Sequence, residues 1–272
     1  MTDVCRSLRK RVMRTRQRLE ERHVKRRRVI LFHIPKCAGI SVGEHFNLCT
    51  GGMLSLREDL AEAGFDRQVE RARHASFVAG HFGWDVLERI RGDALVFTVL
   101  RDPLVRLRSQ YYFHLDRDRR GHPPVIRGRS FSEYLHSVPE VDNVMARQLA
   151  ASTRYEHTRM LAAARLEALA IEHLCALDYV GFTETLSADL IEMCRLAGVC
   201  RPRKAPWLNR APFLPLSAAD RAQAQTVIGV DQSVHGAAQE MRSRRTLPEA
   251  AAGGAAGRAG AVEASIGAVV AG

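Results

Sequence analysis

Three short segments gather the residue types that hold anions and move protons. In His33-Ile34-Pro35-Lys36-Cys37-Ala38-Gly39-Ile40-Ser41 a lysine is followed by small residues and a hydroxyl. Small side chains let backbone N–H groups approach an anion closely, and a helix start there favours negative charge. In Leu100-Arg101-Asp102-Pro103-Leu104-Val105-Arg106-Leu107-Arg108-Ser109 an arginine ends an apolar run, a proline suits the first helical turn, and a serine lies two turns on. A guanidinium at a strand end and a hydroxyl on the following helix can converge on one phosphate through charge-assisted bonds. In Gly80-His81-Phe82 an imidazole, whose pKa lies near neutrality, is suited to take a proton from a hydroxyl. Each segment also has an ordinary reading: a strand-to-helix turn with a solvated Lys36, a helix start capped by Asp102, and a buried histidine bonded to backbone.

Two further pairs carry a weaker signal. Asn143 and Arg147 are four residues apart and would share one helical face. Thr183 and Glu184 end an apolar run, where the threonine also suits a helix cap. The nucleotide triphosphatase pattern G-x-x-x-x-G-K-[ST] is absent, because Lys36 precedes Gly39.

The elements that must position these residues follow from the apolar patterning. Val29 to His33 reads as a strand buried on both faces, with Ile40 to Leu48 as the helix after it. Ser76 to Gly80, Leu95 to Leu100 and Asp178 to Thr183 are further strands, the last two leading into helices from Pro103 to about Leu115 and from Leu186 to Ala197. Strands alternating with helices predict an α/β domain with a central parallel sheet flanked by helices. Ligands bind at the carboxyl ends of such strands, where all these motifs fall.

The bulk numbers bound the alternatives. The 272 residues suffice for one sizeable core. The net charge of +11 suggests nucleic acid, but residues 1–28 hold 12 Arg or Lys against three acids. That leader therefore accounts for most of the excess, and the nearly balanced remainder gives no support to a groove-binding protein. The leader reads as helical or disordered, and contact with an anionic membrane surface through it stays open. The domain is expected over 29–247, with a disordered Ala/Gly-rich tail at 248–272. The six cysteines show neither a C-x-x-C pair nor metal-ligand spacing with histidine, and they read as reduced thiols. No apolar run reaches membrane-spanning length and no secretory signal is present, so a cytoplasmic setting is expected.

The segment from Pro35 to Ser41 resembles the 5'-phosphosulfate loop of the sulfotransferases that use 3'-phosphoadenosine 5'-phosphosulfate (PAPS), roughly P-K-[TC]-[GA]-G-[TS]-[ST]. The segment from Arg101 to Tyr111 resembles that family's 3'-phosphate motif, roughly R-D-P-x-x-R-x-x-S-x-[YF]. The segments around His81, Asn143 and Thr183 are similar to those of the carbohydrate branch, typified by Golgi 2-O-sulfotransferases. The chain looks like a soluble, bacterial-type member of it.

The resemblance implies a P-loop NTPase-like three-layer α/β fold and sulfuryl transfer from PAPS to a hydroxyl, with a carbohydrate as the favoured acceptor and no metal. It implies that Lys36, Cys37, Ala38, Gly39, Ile40 and Ser41 hold the phosphosulfate end, although Ile40 stands where a threonine is usual. Arg101 and Ser109 would hold the 3'-phosphate, with Arg106 supporting the loop. Lys36 would stabilise the leaving phosphate, and His81 would serve as base, with His33 as its rival. Asn143 and Arg147 would face the acceptor or the sulfonate. A nucleotide-dependent phosphotransferase and a non-catalytic nucleic-acid-binding relative are the alternatives.

Overall fold

Four consecutive buried apolar residues, Val29–Phe32, form β1, as a strand covered on both faces requires. The chain continues through α1 (Gly39–Thr50), β2 (Leu54–Arg57), α2 (Phe65–His74), β3 (Phe77–His81), α3 (Trp84–Ile90) and β4 (Leu95–Leu100). Helices α4 (Pro103–Arg119), α5 (Phe131–Ser137), α6 (Val144–Ala150), α7 (Tyr155–Thr158) and α8 (Ala163–Cys175) precede β5 (Tyr179–Phe182). Helices α9 (Leu186–Ala197) and α10 (Ala218–Thr246) follow. This computed structural model describes residues 26–58, 64–202 and 215–246. The leader up to residue 25 and the expected tail lie outside the described residues. The chain to Ala238 forms one unit, and a second begins at Gln239. The described part of that second unit is helical and carries an Arg244–Glu240 ion pair at 3.8 Å.

The five strands pair in the order β2-β3-β1-β4-β5, all parallel. Ile30 aligns with Val78 on one side and Val96 on the other, so β1 is central. After β3 the chain crosses β1 to build the other half of the sheet, which leaves a crevice at the carboxyl end of β1. Alternate residues of each strand face opposite layers. Val29, Leu31, Phe77 and Phe97 pack with Val42 and Phe46 of α1 and with Leu190 and Met193 of α9. Phe32, on the opposite face, meets the Phe82 ring edge-on at 5.6 Å. A third cluster joins Leu107 of α4, Phe131 and Tyr134 of α5, and Ile228 of α10.

The expected parallel α/β architecture is present, with two differences in detail. Strand β2 has no counterpart in the apolar patterning, because this edge strand fully buries only Leu56. Its place beside β3 depends on Gly80, where a Cβ would lie 1.7 Å from the Leu56 carbonyl oxygen. Arg28, grouped by charge with the leader, is a half-buried structural residue. Its guanidinium donates to the carbonyls of Ala72 and Ala75 at the end of α2 and of Ile90 and Arg91 at the end of α3, at 2.7–3.0 Å. Carbonyls at two helix ends, each carrying partial negative charge, explain why a cation sits there. No helix among the described residues is long and apolar enough to cross a membrane.

Candidate active site

The carboxyl ends of β1, β3 and β4 open onto one cleft of about 710 Å³. The first loop contributes Lys36, Ala38, Gly39, Ile40 and Ser41 to it, and the second motif contributes Arg101 and Ser109. His33 and His81 line the same space. The two loops, 60 residues and more apart in sequence, meet because β1 and β4 are neighbours in the sheet. Among the described residues, Lys36, Arg57, Arg101, Arg117 and Arg147 line the cleft with Glu140 as the single carboxylate, so the cleft suits an anion.

The first loop bends through left-handed conformations at Lys36 (φ 69°) and Ala38 (φ 60°). These cost about 1–3 kcal/mol each in residues other than glycine, and such turns form concave anion-binding nests. At Gly39 a Cβ would lie 1.8 Å from Cδ2 of His33, so the His33 ring sits directly against the glycine. His33 therefore shapes the loop. Cys37 departs from expectation: it is buried behind the cleft, and its N–H donates to the Ile34 carbonyl at 3.2 Å. Burial pushes its thiol up to about 12, so it stays neutral. Ile40 lines the cleft with its side chain about half exposed.

Lys36 carries its charge under an apolar cover. Its Nζ lies 4.0 Å from the centre of the Phe113 ring, and among the described residues no carboxylate pairs with it. Burial first, and the Arg101 guanidinium next, pull its pKa down to about 8. Arg101 in turn donates to the Lys36 carbonyl at 3.2 Å, so the second motif braces the first loop. Asp102 caps α4 by accepting from Val105 N at 2.8 Å, and the capping role read from sequence thus coexists with a cleft-facing Arg101. Ser109 is buried at the cleft wall.

Arg106 acts by its charge on Lys36 and Cys37 of the first loop and has structural partners of its own. It is fully buried and binds Gln110 Oε1 at 2.5 Å, with Nε 4.0 Å from Asp231 of α10. Asp231 also accepts from the N–H groups of Ala146 and Met145, and so ties α4 and α6 to α10. Burial, opposed by Arg106, pushes the Asp231 carboxyl up to about 6.

His81 Nδ1 lies 3.0 Å from the His33 carbonyl oxygen. A carbonyl only accepts, so Nδ1 carries a proton, and in the neutral ring the lone pair is on Nε2. The two imidazoles are 4.3 Å apart between ring centres. Burial, then proximity to His81, drives the His33 pKa well below its ordinary value and keeps that ring neutral. Gln148 donates to the same His33 carbonyl at 3.1 Å and to Phe82 O at 2.9 Å, and thereby fixes the carbonyl that orients His81.

Asn143 and Arg147 both donate to the Asp142 carboxylate, but they do not jointly face the cleft. Asn143 adopts φ 44° at the start of α6, and its Oδ1 accepts from the N–H groups of Val230 and Asp231. It holds α10 in place and does not line the cleft. Arg147 does line it, but its guanidinium is bound to the Asp142 carboxylate and to Thr158 O, with the Tyr155 ring 4.9 Å away. Thr183 lines the cleft and donates to Glu184, whose carboxylate also accepts from Asp102 N at 3.4 Å; neither residue's side chain caps a helix.

Sequence reasoning missed Phe113, His114 and Gln148. Phe113 is four residues beyond Ser109 on one helix, a spacing that puts both on one face. His114 bonds Tyr134 Oη at 3.0 Å, and burial together with Arg117 lowers its pKa to about 4. Gln148 shares a helix with Arg147, but nothing in its spacing pointed to carbonyl groups of β1 and β3.

A family model described as the sulfotransferase family matches residues 22–213, well over half of the chain. No curated protein matches it.

Proposed function

The chain belongs to the sulfotransferase family, and from that premise we propose that it transfers a sulfuryl group from PAPS to a hydroxyl acceptor, a carbohydrate, through a domain spanning 29–247. The observation that carries this reading is that Lys36, Ser41, Arg101, Ser109 and His81 line one cationic cleft. A doubly phosphorylated nucleotide needs two separated anion sites, and the loop after β1 and the start of α4 supply them.

The donor, when bound, supplies an activated sulfuryl group on a 5'-phosphate. Lys36 then gains an anionic partner, and its charge stabilises negative charge that builds on the phosphate side as the bond breaks. Ser41 and the loop's backbone hold the same end, with Ala38, Gly39 and Ile40 forming the floor. Cys37 contributes by packing, since its N–H is engaged within the loop. Arg101 and Ser109 hold the 3'-phosphate. His81 Nε2 takes the acceptor's proton, and the bond from Nδ1 to His33 O holds the imidazole in the tautomer that can do so. His33, kept neutral and pressed against Gly39, positions the loop in place of acting as the base. Arg57 and Arg117 give the rest of the cleft a positive lining for the acceptor. This scheme asks for no metal.

The test is transfer of radiolabelled sulfuryl from PAPS to pooled glycans by the full-length protein. Label should appear in glycan, and Lys36→Ala should abolish it. Label that stays with the donor while ATP, with Mg²⁺, phosphorylates the same pool would replace this reading with phosphotransfer.

A further inference from the structure

Helix α1 carries a second chemical cluster, away from the cleft. His45 and Cys49, one turn apart, meet Cys200, which lies just beyond α9. Cys49 Sγ is 2.6 Å from Cys200 Sγ and 3.5 Å from His45 Nε2. All three residues are buried, and Cys200 is the most exposed of them at 9%. We propose that Cys49 and Cys200 are a disulfide-forming pair that staples α1 to the chain segment following α9.

A soft divalent cation is the other chemistry that such a trio could serve. Two thiolates on a tetrahedral zinc, with Zn–S of about 2.3 Å, stand roughly 3.8 Å apart. The sulfurs here are in closer contact than that. The imidazole nitrogen that would complete a metal site is also engaged, since His45 Nε2 donates to the Cys200 carbonyl at 2.8 Å. The geometry therefore favours a bond between the sulfurs.

Oxidation needs an electron acceptor, and a small disulfide such as oxidised glutathione supplies it. The Cys200 thiolate attacks one sulfur of that disulfide and expels one small thiol. Cys49 then gives up its proton to solvent and attacks the Cys200 sulfur, which expels the second small thiol. The protein pair loses two electrons and the oxidant gains them. Cys200 is the natural first nucleophile: it is the more exposed, and the hydrogen bond from Cys49 lowers its pKa to about 7. The closed loop spans 151 residues, and long loops gain most from cross-linking.

Full-length protein treated with oxidised glutathione, alkylated and digested without reduction should yield a peptide pair linked through Cys49 and Cys200, with Cys37 and Cys194 alkylated. Its melting temperature should lie about 5–10 °C above that of the reduced protein. The difference should vanish in Cys200→Ser. Alkylation of both Cys49 and Cys200 after oxidant treatment would overturn the proposal. So would one tightly held zinc per chain that shields both thiols from the oxidant, or a melting shift that survives in Cys200→Ser. Peptide mapping of the unmodified chain decides the matter even if the variant fails to fold.

Discussion

Replacing Lys36 by Met should stabilise the protein while removing its donor affinity. The side chain's pKa falls from 10.5 in water to about 8, chiefly because the ammonium is buried and next because the Arg101 guanidinium is near. At about 1.36 kcal/mol per pKa unit, the charged form costs the folded state up to roughly 3 kcal/mol near pH 7. Solvent in the open cleft and the lost contact with the Phe113 ring reduce the gain to about 1–2 kcal/mol. Methionine keeps an unbranched apolar stem one atom shorter, and it meets the same left-handed backbone, so the comparison chiefly reports the charge. The sign follows from proton binding: between pH 8 and 10.5 the unfolded chain holds a proton that the folded chain has released, so wild-type stability rises with pH there relative to the variant. Scanning calorimetry should therefore place Lys36→Met about 3–6 °C above wild type at pH 7, with the gap closing by about pH 10.5. A variant that melts below wild type at pH 7, or a gap independent of pH, would refute the picture of a charge held ready for an anion.

The remaining predictions concern other parts of the site. His81→Gln should lower kcat by about 10²–10⁴-fold with donor binding within a few fold of wild type, as measured by steady-state kinetics and calorimetry. Arg101→Ala should weaken binding of adenosine 3',5'-bisphosphate by about 10–100-fold and that of 5'-AMP by less, because it removes charge-assisted bonds to the 3'-phosphate together with the brace on the Lys36 carbonyl. Arg106→Ala should cost about 3–5 kcal/mol in urea unfolding by leaving Asp231 buried without its cation, and adding Asp231→Asn should recover much of that loss.

Much of this arrangement was legible in the sequence, and the reasons differ by element. β1 and β4 are buried throughout and apolar but for Thr98, because helices cover both their faces, so their bounds and the loops after them stood out. β2 did not, since an edge strand with one buried side chain leaves no pattern. Lys36, His81, Arg101 and Ser109 sit at strand ends or in a helix's first turns, where local sequence dictates position. Asn143 misled because its partners lie on α10, more than 80 residues away, and no spacing rule reaches that far; the contact of Arg106 with Asp231 was hidden for the same reason. Gln148 and Phe113 went unnoticed because their roles depend on what the sheet brings opposite them. The contact of Cys49 with Cys200 is likewise a product of packing α9 against α1.

Titration calorimetry of the purified chain with adenosine 3',5'-bisphosphate, without metal, tests the central claim most directly. The account predicts one nucleotide per chain, at least tenfold weaker binding when the 3'-phosphate is missing, as expected from about 1.4 kcal/mol per decade, and loss of binding when Lys36 and Arg101 are both replaced by alanine. Equal affinity for the two nucleotides, or binding that survives the double replacement, would contradict it.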